Sequence, residues 1–199
     1  MKSPDEVLDY KGDKIHTNKD FCSVLYSDFL TDVHVKAIKD SILPDLWLSG
    51  ETVKGSVDKS LRNVRQQVCT MNEKGWPLEQ ILEFARQANN NRYKFELQGF
   101  LSYDVPQIME YDVGGHYDWH IDVGNEVPNR KLSFTIQLSD SSDYEGGDLE
   151  FLNTNVKKEH LRKKGVAIIF PSFLPHRITP VTKGVRHAIV GWIHGETFK

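Results

Sequence analysis

The chain has 199 residues, which is long enough for one domain with a sizeable hydrophobic core. Its formal net charge of -3 provides no basic field for nucleic acid or for an anionic membrane surface. The chain has no apolar run long enough to span a membrane, no apolar segment of a signal peptide, and only two cysteines. We therefore expect a cytoplasmic protein without membrane segments or a disulfide framework, and we find no signal for an oligomeric state.

The N-terminal half predicts helices that support a sheet. Residues 1–20 are polar and are interpreted as a leader, or as a first strand at the edge of a sheet. A strand is predicted at Phe21–Tyr26, and Thr31 is expected to cap a helix that follows it. A second helix is predicted from Pro77 to Asn91, because apolar residues recur there at helical spacing. Between the two helices, Ser49–Met71 has the composition of an irregular flap.

After Tyr93 the pattern changes to short strands separated by turn signals. Strands without intervening helices indicate antiparallel sheets, and hence a sandwich or jelly roll. The expected fold is α+β but mainly β: one domain over residues 21–199, with residues 21–93 as helical support and residues 94–199 as a jelly-roll core. The predicted strands are Phe95–Gln98, Gln107–Asp112, His116–Asp122, Lys131–Leu138, Asp148–Leu152, Gly165–Phe170, Arg177–Pro180 and Arg186–His194.

The stretch H-Y-D-W-H-I-D alternates metal-ligand side chains with apolar ones. In a strand of period two, His116, Asp118, His120 and Asp122 share one face, while the other face is apolar and can pack on a core. Two of these side chains at positions i and i+2 can hold one metal ion from the same side of a sheet. A polar, solvent-facing strand with ordinary histidines is the alternative that this stretch alone leaves open.

A third candidate ligand, His176, lies well downstream of the H-x-D pair His120 and Asp122. Two histidines and one carboxylate that leave coordination positions open form the facial triad of non-haem Fe(II) oxygenases. Such a set can also hold zinc for hydrolysis, or a metal in a non-catalytic jelly roll, and both alternatives stay open. Arg186 follows His176 by ten residues, and a guanidinium is the best match for a planar carboxylate. Neither the zinc hydrolase nor the non-catalytic jelly roll requires an arginine beside the metal.

The region from Tyr111 to Trp192 resembles the prolyl 4-hydroxylase-like branch of the 2-oxoglutarate- and Fe(II)-dependent dioxygenases. It is particularly similar to the bacterial PKHD-type hydroxylases. The resemblance rests on an ordered set of motifs rather than on H-x-D alone. These motifs are Tyr111, Gly115, Tyr117-x-x-His120-x-Asp122, Arg130-x-x-Ser133-x-x-x-Gln137-Leu138, Tyr144-Glu145-Gly146-Gly147 with Leu149 and Phe151, Gly165, Phe170, His176, Pro180-Val181, Gly184 and Arg186.

This resemblance implies a double-stranded β-helix and the site residues that belong to it. It implies that His120, Asp122 and His176 bind the iron and act in catalysis together with Arg186. Arg186 would bind the far carboxylate of 2-oxoglutarate, and Tyr111 would donate a hydrogen bond to the same cosubstrate. Fe(II), 2-oxoglutarate and O₂ are the implied cofactors, and ascorbate is a further candidate. The implied reaction couples oxidative decarboxylation of 2-oxoglutarate to hydroxylation of a substrate C–H bond.

Three further residues are candidates for the surroundings of this site. Relatives often carry an aromatic residue where this chain has Gln137. The amide of Gln137 can still donate a hydrogen bond to a carboxylate, so Gln137 is a weaker candidate for a contact with the cosubstrate. His116 and Asp118 do not match the ligands of the family and are expected behind the ligands or at the pocket rim. Trp119 and Trp192 are expected in the core.

The resemblance favours a peptide or protein substrate, with prolyl hydroxylation as the implied reaction. A free amino acid or a small metabolite stays open as the alternative. Collagen-type enzymes commonly use lysine where this chain has Arg186, so collagen-like substrates are not specially favoured. The nucleic-acid demethylases usually carry a second arginine at the position of Trp192, which argues against nucleic acid. One or both of Val123–Asn129 and the flap are predicted to overhang the pocket and to become ordered when substrate binds.

Overall fold

The computed structural model describes residues 7–8, 14–17, 24–50, 58–70, 75–152 and 156–197. Its helices are α1 (Asp32–Asp40), α2 (Leu78–Ala88) and α3 (Lys158–Leu161), with a 3-10 turn at Pro44–Leu46 and a π-helical turn at Asn89–Tyr93. The strands follow in chain order: β1 (Val7–Leu8), β2 (Lys14–Thr17), β3 (Leu25–Asp28), β4 (Leu48–Ser49), β5 (Arg62–Asn63), β6 (Arg65–Val68), β7 (Leu97–Gly99), β8 (Gln107–Tyr111), β9 (His116–His120), β10 (Arg130–Gln137), β11 (Tyr144–Gly146), β12 (Leu149–Phe151), β13 (Val166–Pro171), β14 (His176–Ile178), β15 (Val181–Gly184) and β16 (Arg186–Gly195).

The two longer helices form as the sequence predicts and cover one face of the larger sheet. The Thr31 side chain accepts a hydrogen bond from the backbone N–H of His34, which satisfies one of the free donors at the start of α1. The apolar stripe of α2, which includes Ile81 and Phe84, is buried. It packs with α1 against one face of the central strands. The expected role of these helices as support for a sheet is confirmed.

The larger sheet has ten strands within the described residues, and β10 lies near its middle, between β13 and β16. Both faces of β10 are covered, which explains why seven of its eight residues are buried. Phe134 and Ile136, which are apolar, belong to the cluster that contacts the helices. Ser133 and Thr135, with the opposite parity, line the pocket on the other side.

A smaller sheet with the order β12-β14-β9-β5 faces this one across a second apolar cluster that includes Met109, Phe170 and Ile178. Two antiparallel sheets packed face to face form the predicted jelly roll. The two candidate histidine ligands lie on the smaller sheet, Asp122 follows two residues after the end of β9, and Arg186 begins the last strand of the larger sheet. The sandwich therefore brings residues from distant parts of the chain to the same pocket.

Several predicted boundaries were wrong. The first predicted strand, Phe21–Tyr26, is found at Leu25–Asp28, and residues 21–23 lie outside the described residues. The segment Ser49–Met71 was predicted to be irregular, but residues 62–63 and 65–68 are strands paired to β9 and β8. Residues 51–57 lie outside the described residues.

Other elements differ from the prediction by their pairing. Lys14–Thr17 pairs with β3 at an end of the larger sheet, as expected if residues 1–20 contribute an edge strand. Tyr144–Gly146 and Val181–Gly184 form a two-stranded ribbon, although neither segment is among the predicted strands. None of the described helices has the length and apolar content needed to cross a membrane.

Candidate metal centre

His120, Asp122 and His176 converge in the structure. His120 ends β9 and His176 begins β14, and the two residues are direct cross-strand partners. Their Nε2 atoms lie 3.6 and 3.5 Å from the two carboxylate oxygens of Asp122. One ligand atom from each of the three residues lies within 4.8 Å of the others. The three side chains predicted from H-x-D and a distant histidine are therefore brought to one point.

Hydrogen bonds behind the ligands fix which atoms face this point. The Nδ1 atoms of His120 and His176 lie 2.8 and 2.9 Å from the backbone carbonyls of Asp118 and Leu174. A carbonyl only accepts, so both Nδ1 atoms carry the proton and both Nε2 atoms present lone pairs. Burial lowers the pKa of His176 to about 4, although the charge of Asp122 opposes this shift. His176 is therefore neutral near pH 7, as a metal ligand must be.

Asp122 is held beyond the end of β9 by two hydrogen bonds from different elements. Its backbone N–H donates to the carbonyl of Ser172, at 2.8 Å. The hydroxyl of Ser133 donates to Oδ2, at 2.6 Å. Burial alone would raise the pKa of Asp122, but His176, His120 and Ser133 together hold it well below its usual value. The carboxylate is therefore charged and oriented, which is the state that binds a cation.

The donor set fits a divalent metal of the Fe(II) type. Bond lengths of about 2.0–2.2 Å from imidazole and carboxylate ligands put neighbouring ligand atoms about 3–3.6 Å apart, depending on geometry. The separations of 3.5 and 3.6 Å from Asp122 lie at the upper end of this range. Three protein ligands in an open pocket leave further coordination positions available. These contacts support a metal site without identifying the metal.

The predicted cosubstrate contacts lie on the opposite wall of the same pocket. Arg186 and Tyr111 are cross-strand partners at the start of β16 and the end of β8, and both line the pocket. Arg186 is 3 % exposed, and within the described residues no carboxylate lies within ion-pair distance of it. Burial raises the pKa of the Tyr111 phenol, while the guanidinium of Arg186 partly opposes this shift. The wall thus offers a buried positive charge and a protonated phenol.

Residues 106–194 match the family model of the 2OG-Fe(II) oxygenase superfamily. This match includes the three convergent ligands and Arg186. Over this region, which is less than half of the chain, the protein is similar to the 2OG-Fe(II) oxygenase superfamily.

Sequence relatives of this chain are PKHD-type hydroxylases, as the resemblance predicted. One, from Synechococcus sp. (strain CC9902), is 44% identical over 87 residues, which cover 43% of this chain and 39% of the relative. Another, from Janthinobacterium sp. (strain Marseille), is 28% identical over 173 residues, covering 83% of this chain and 75% of the relative. The chain thus matches about two fifths of the length of the first relative and three quarters of the second.

Solved structures confirm the predicted fold of this chain. A crystal structure of a Pseudomonas putida prolyl-4-hydroxylase matches it with a TM-score of 0.66 and 18% identity, over 85% of this chain and 92% of that chain. A prolyl hydroxylase in complex with a hypoxia inducible factor peptide fragment, from Trichoplax adhaerens, matches with a TM-score of 0.62 and 19% identity, over 86% and 83% of the two chains. The predicted double-stranded β-helix fold is confirmed.

A β-bulge makes the predicted alternation of the H-Y-D-W-H-I-D stretch wrong. His176 pairs with His120 but Ile178 pairs with Tyr117, so three steps on β9 oppose two on β14. An extra residue of this kind reverses the parity of the residues that follow it. Tyr117 and His120 therefore share a face, and their rings stack with centroids 3.5 Å apart.

The same bulge separates His116 and Asp118 from the ligands. Neither His116 nor Asp118 lines the pocket. The ring nitrogens of His116 lie 2.9 and 3.1 Å from the carbonyl oxygens of Gly114 and Ser60. Asp118 is exposed, and its carboxylate accepts from the next backbone N–H, that of Trp119. The backbone carbonyl of Asp118 is the part that lies behind a ligand, through its contact with His120.

Gln137 and the two tryptophans also differ from the predictions. The amide of Gln137 donates to the hydroxyl of Tyr144 at 2.8 Å, and Gln137 does not line the pocket. Trp119 is 42 % exposed rather than in the core. Trp192 lines the pocket, and the guanidinium of Arg130 lies 3.4 Å above its ring. Trp192 is thus part of the pocket wall and not of the core.

Arg62, Tyr117, Arg130 and Ser133 are among the pocket residues that received no role from the sequence. Arg130 and Ser133 belong to the motif R-x-x-S that carried the resemblance, so a signal was present without an assigned function. Arg62 comes from the flap, and only its non-local pairing with β9 brings it to the pocket. Residues 123–127 also line the pocket, as the lid prediction requires of Val123–Asn129, although their movement on binding stays a prediction.

Proposed function

We propose that this protein is a non-haem Fe(II)- and 2-oxoglutarate-dependent dioxygenase that hydroxylates a C–H bond of a peptide or protein, with a prolyl residue as the target. One observation carries the proposal: a pocket that holds two imidazole nitrogens and a carboxylate also holds a buried arginine without a carboxylate partner in the described chain. A zinc hydrolase or a metal-binding structural module needs the first feature but has no use for the second.

His120, Asp122 and His176 would hold the metal through Nε2, a carboxylate oxygen and Nε2, respectively. When bound with 2-oxoglutarate, Fe(II) would supply the activation of O₂ that couples formation of succinate and CO₂ to hydroxylation. The carbonyls behind both imidazoles keep the lone pairs aimed at the metal position. Ser133 restrains the carboxylate in the same way.

Arg186 and Tyr111 would bind the distal carboxylate of 2-oxoglutarate. A buried guanidinium without a counter-charge is unfavourable, and an entering carboxylate relieves this with paired N–H donors. The phenol of Tyr111 is protonated at neutral pH, since its ordinary pKa is about 10 and burial raises the pKa further, so it can donate to the same group. These two residues therefore fix one end of the cosubstrate while the metal fixes the other.

The remaining pocket wall suits an apolar ring near the metal. The rings of Tyr117 and Trp192, together with Ile121 and Val190, line the pocket beside the ligands. Aromatic faces bind a pyrrolidine ring mainly by burying its C–H surface. The solved prolyl hydroxylases with the same fold support this assignment, and one of them was solved with a peptide.

The test is a mass-spectrometric panel of proline-containing peptides, free amino acids and small metabolites, each incubated with Fe(II), with and without 2-oxoglutarate. We expect a mass gain of one oxygen on a prolyl peptide that requires 2-oxoglutarate. Asp122→Ala, which removes a ligand, serves as the inactive control. Oxygen gained only by a free amino acid or metabolite would refute the peptide assignment, and hydrolysis of any substrate with zinc would refute the oxygenase assignment.

A further inference from the structure

A buried cluster of charged and polar residues lies behind the pocket wall, outside the metal site and the proposed cosubstrate contacts. Asp104 accepts hydrogen bonds from the Nε and Nη2 atoms of Arg130, both at 2.7 Å. The Nε2 atom of His194 lies 2.8 Å from the same carboxylate. His194 is 0 % exposed, and its Nδ1 atom lies 3.2 Å from the carbonyl oxygen of Gly99. Groups of this kind are costly to bury, so their arrangement beside a ligand pocket calls for an explanation.

Asp104 and His194 leave the guanidinium of Arg130 little freedom. Two parallel bonds to one carboxylate fix the plane of a guanidinium as well as its position. His194 is the cross-strand partner of Arg130, since it lies on β16 opposite the start of β10. Burial alone would raise the pKa of Asp104, but the bonds from His194 and Arg130 hold it below its usual value, so the carboxylate is charged at pH 7. The cluster therefore holds Arg130 by charge as well as by hydrogen bonds.

The guanidinium held in this way contacts the metal end of the pocket twice. Its Nη1 atom donates to the backbone carbonyl of the ligand Asp122, at 3.3 Å. Its central carbon lies 3.4 Å from the centroid of the Trp192 ring, so the two flat groups are stacked. Arg130 directly follows the loop Val123–Asn129, and Asp122 directly precedes it. The bond between Arg130 and Asp122 therefore joins the two ends of this loop.

Arg130 differs from Arg186 because its donors are already used. Each of its three guanidinium nitrogens has an acceptor, either the carboxylate of Asp104 or the carbonyl of Asp122. The ring of Trp192 covers one face of the group. Arg186, in contrast, has no carboxylate within ion-pair distance in the described residues. Arg130 is therefore placed to hold the pocket wall rather than to bind an entering anion.

We propose that Arg130 is a positioning residue that Asp104 and His194 hold in place. Its guanidinium fixes both ends of the loop Val123–Asn129 and the ring of Trp192, which form the pocket wall beside the metal position. Asp104 and His194 do not line the pocket and act through Arg130. This inference concerns the protein before any ligand binds, so it goes beyond the proposed function and does not depend on it. Loss of the cluster should loosen this part of the wall more than the rest of the fold.

The test is hydrogen exchange, followed by mass spectrometry on protein without metal, in wild type, Arg130→Lys and Asp104→Asn. Lysine keeps the positive charge but loses the paired donors and the flat face, and asparagine keeps the shape of aspartate but loses its charge. We expect the loop Val123–Asn129 to exchange at least about tenfold faster in both variants than in wild type, with a larger change than in α2, which reports the stability of the whole fold. Arg130→Lys keeps a cation beside Asp104, so the test remains possible if Asp104→Asn does not fold.

Arg177→Lys is a matched control, because Arg177 has the same kinds of partner outside the pocket. It pairs with Glu150 at 2.7 Å, and its guanidinium lies 4.8 Å from the ring centroid of the exposed Trp119. This substitution should leave hydrogen exchange in the loop Val123–Asn129 unchanged.

A second readout is the quenching of Trp192 fluorescence by acrylamide, taken as the difference between each protein and its Trp192→Phe counterpart. Because the guanidinium no longer lies flat on the ring, quenching should be stronger in Arg130→Lys and Asp104→Asn than in wild type. Mn(II) affinity should be unchanged in both variants, because the hydroxyl of Ser133 orients the carboxylate of Asp122 separately.

The proposal would be overturned if loop exchange rose no more than exchange in α2, because the cluster would then serve only the stability of the whole fold. An equal change in Arg177→Lys, or unchanged quenching of Trp192 in both variants, would overturn it as well. A loss of Mn(II) affinity without faster loop exchange would assign the cluster to the metal ligand and would also overturn the proposal.

Discussion

Arg186→Ala is expected to weaken 2-oxoglutarate binding while leaving metal binding intact. The guanidinium is 3 % exposed and lies opposite the metal ligands in the pocket. A hydrogen bond to a charged group contributes about 1.5–3 kcal/mol, and each 1.4 kcal/mol is a factor of ten in affinity. We therefore expect 2-oxoglutarate affinity to fall by about 10- to 150-fold. Arg186→Lys should retain part of the affinity, because the charge remains while the paired donors are lost.

The assay is a pair of titrations of each variant, first with Fe(II) under anaerobic conditions and then with 2-oxoglutarate. Lys183→Ala is a matched control, since it removes a cation three residues away whose side chain is exposed and paired with Glu145. Fe(II) affinity should be equal in the wild type and both arginine variants. Unchanged 2-oxoglutarate affinity in Arg186→Ala would refute the reasoning, and so would an equal loss in Lys183→Ala.

Three further predictions concern the surroundings of the pocket. Ser133→Ala should weaken metal affinity about 10- to 100-fold in competition titrations, because Asp122 loses the hydroxyl that orients it. Asp104→Asn should lower the free energy of unfolding at pH 7 by about 3 kcal/mol, because the partly buried Arg130 loses a charge partner bound at 2.7 Å. Val123–Asn129 should become more protected from hydrogen exchange when substrate binds.

The pH dependence of Asp104→Asn has a definite sign. Burial alone would raise the pKa of Asp104, but hydrogen bonds from His194 and Arg130 hold it below 3.8. Its contribution to stability is therefore full above about pH 4 and is lost as the pH falls through the lowered pKa. Chemical denaturation should show a gap between wild type and variant at pH 7 that narrows below pH 4. A gap independent of pH would contradict this explanation.

Equally definite results would contradict the predictions for Ser133→Ala and for Val123–Asn129. Ser133→Ala could bind metal with the same affinity as the wild type. This result would mean that Ser172, whose carbonyl accepts from the Asp122 backbone and whose hydroxyl lies 3.0 Å from that of Ser133, suffices to orient Asp122. Equal protection of Val123–Asn129 with and without substrate would mean that this segment is a fixed wall and not a lid. Both measurements use the folded protein, and a melting curve of Ser133→Ala controls for misfolding.

Much of the fold was predictable from the sequence because the decisive signals are local. Thr31 as a helix cap, the apolar stripe of α2 and the short strands after Tyr93 all follow from neighbouring residues. The ribbon of β11 with β15 was not predictable in this way, since its strands are three or four residues long and pair across the chain. Strands this short have too few residues to express a period of two.

The metal ligands were predictable by type and spacing, but their surroundings were not. Strict alternation placed His116 and Asp118 beside the ligands, and a bulge in β9 moved them away while bringing Tyr117 in. A single inserted residue cannot be recognised in a sequence, yet it reverses the face of the sheet to which every following side chain points. Likewise, Gln137 has the right parity for the pocket, and only its bond to Tyr144 turns it aside.

The central claim is that His120, Asp122 and His176 hold a redox-active iron beside bound 2-oxoglutarate. The most direct measurement is succinate formed from 2-oxoglutarate under O₂, compared between Fe(II) and Zn(II) and between wild type and His176→Ala. The account predicts succinate from the wild type with Fe(II), none with Zn(II), and none from His176→Ala at an unchanged melting temperature. The account would be contradicted if wild type and His176→Ala formed equal amounts of succinate. It would also be contradicted if the Fe(II)-loaded wild type, supplied with the peptide panel, formed no succinate.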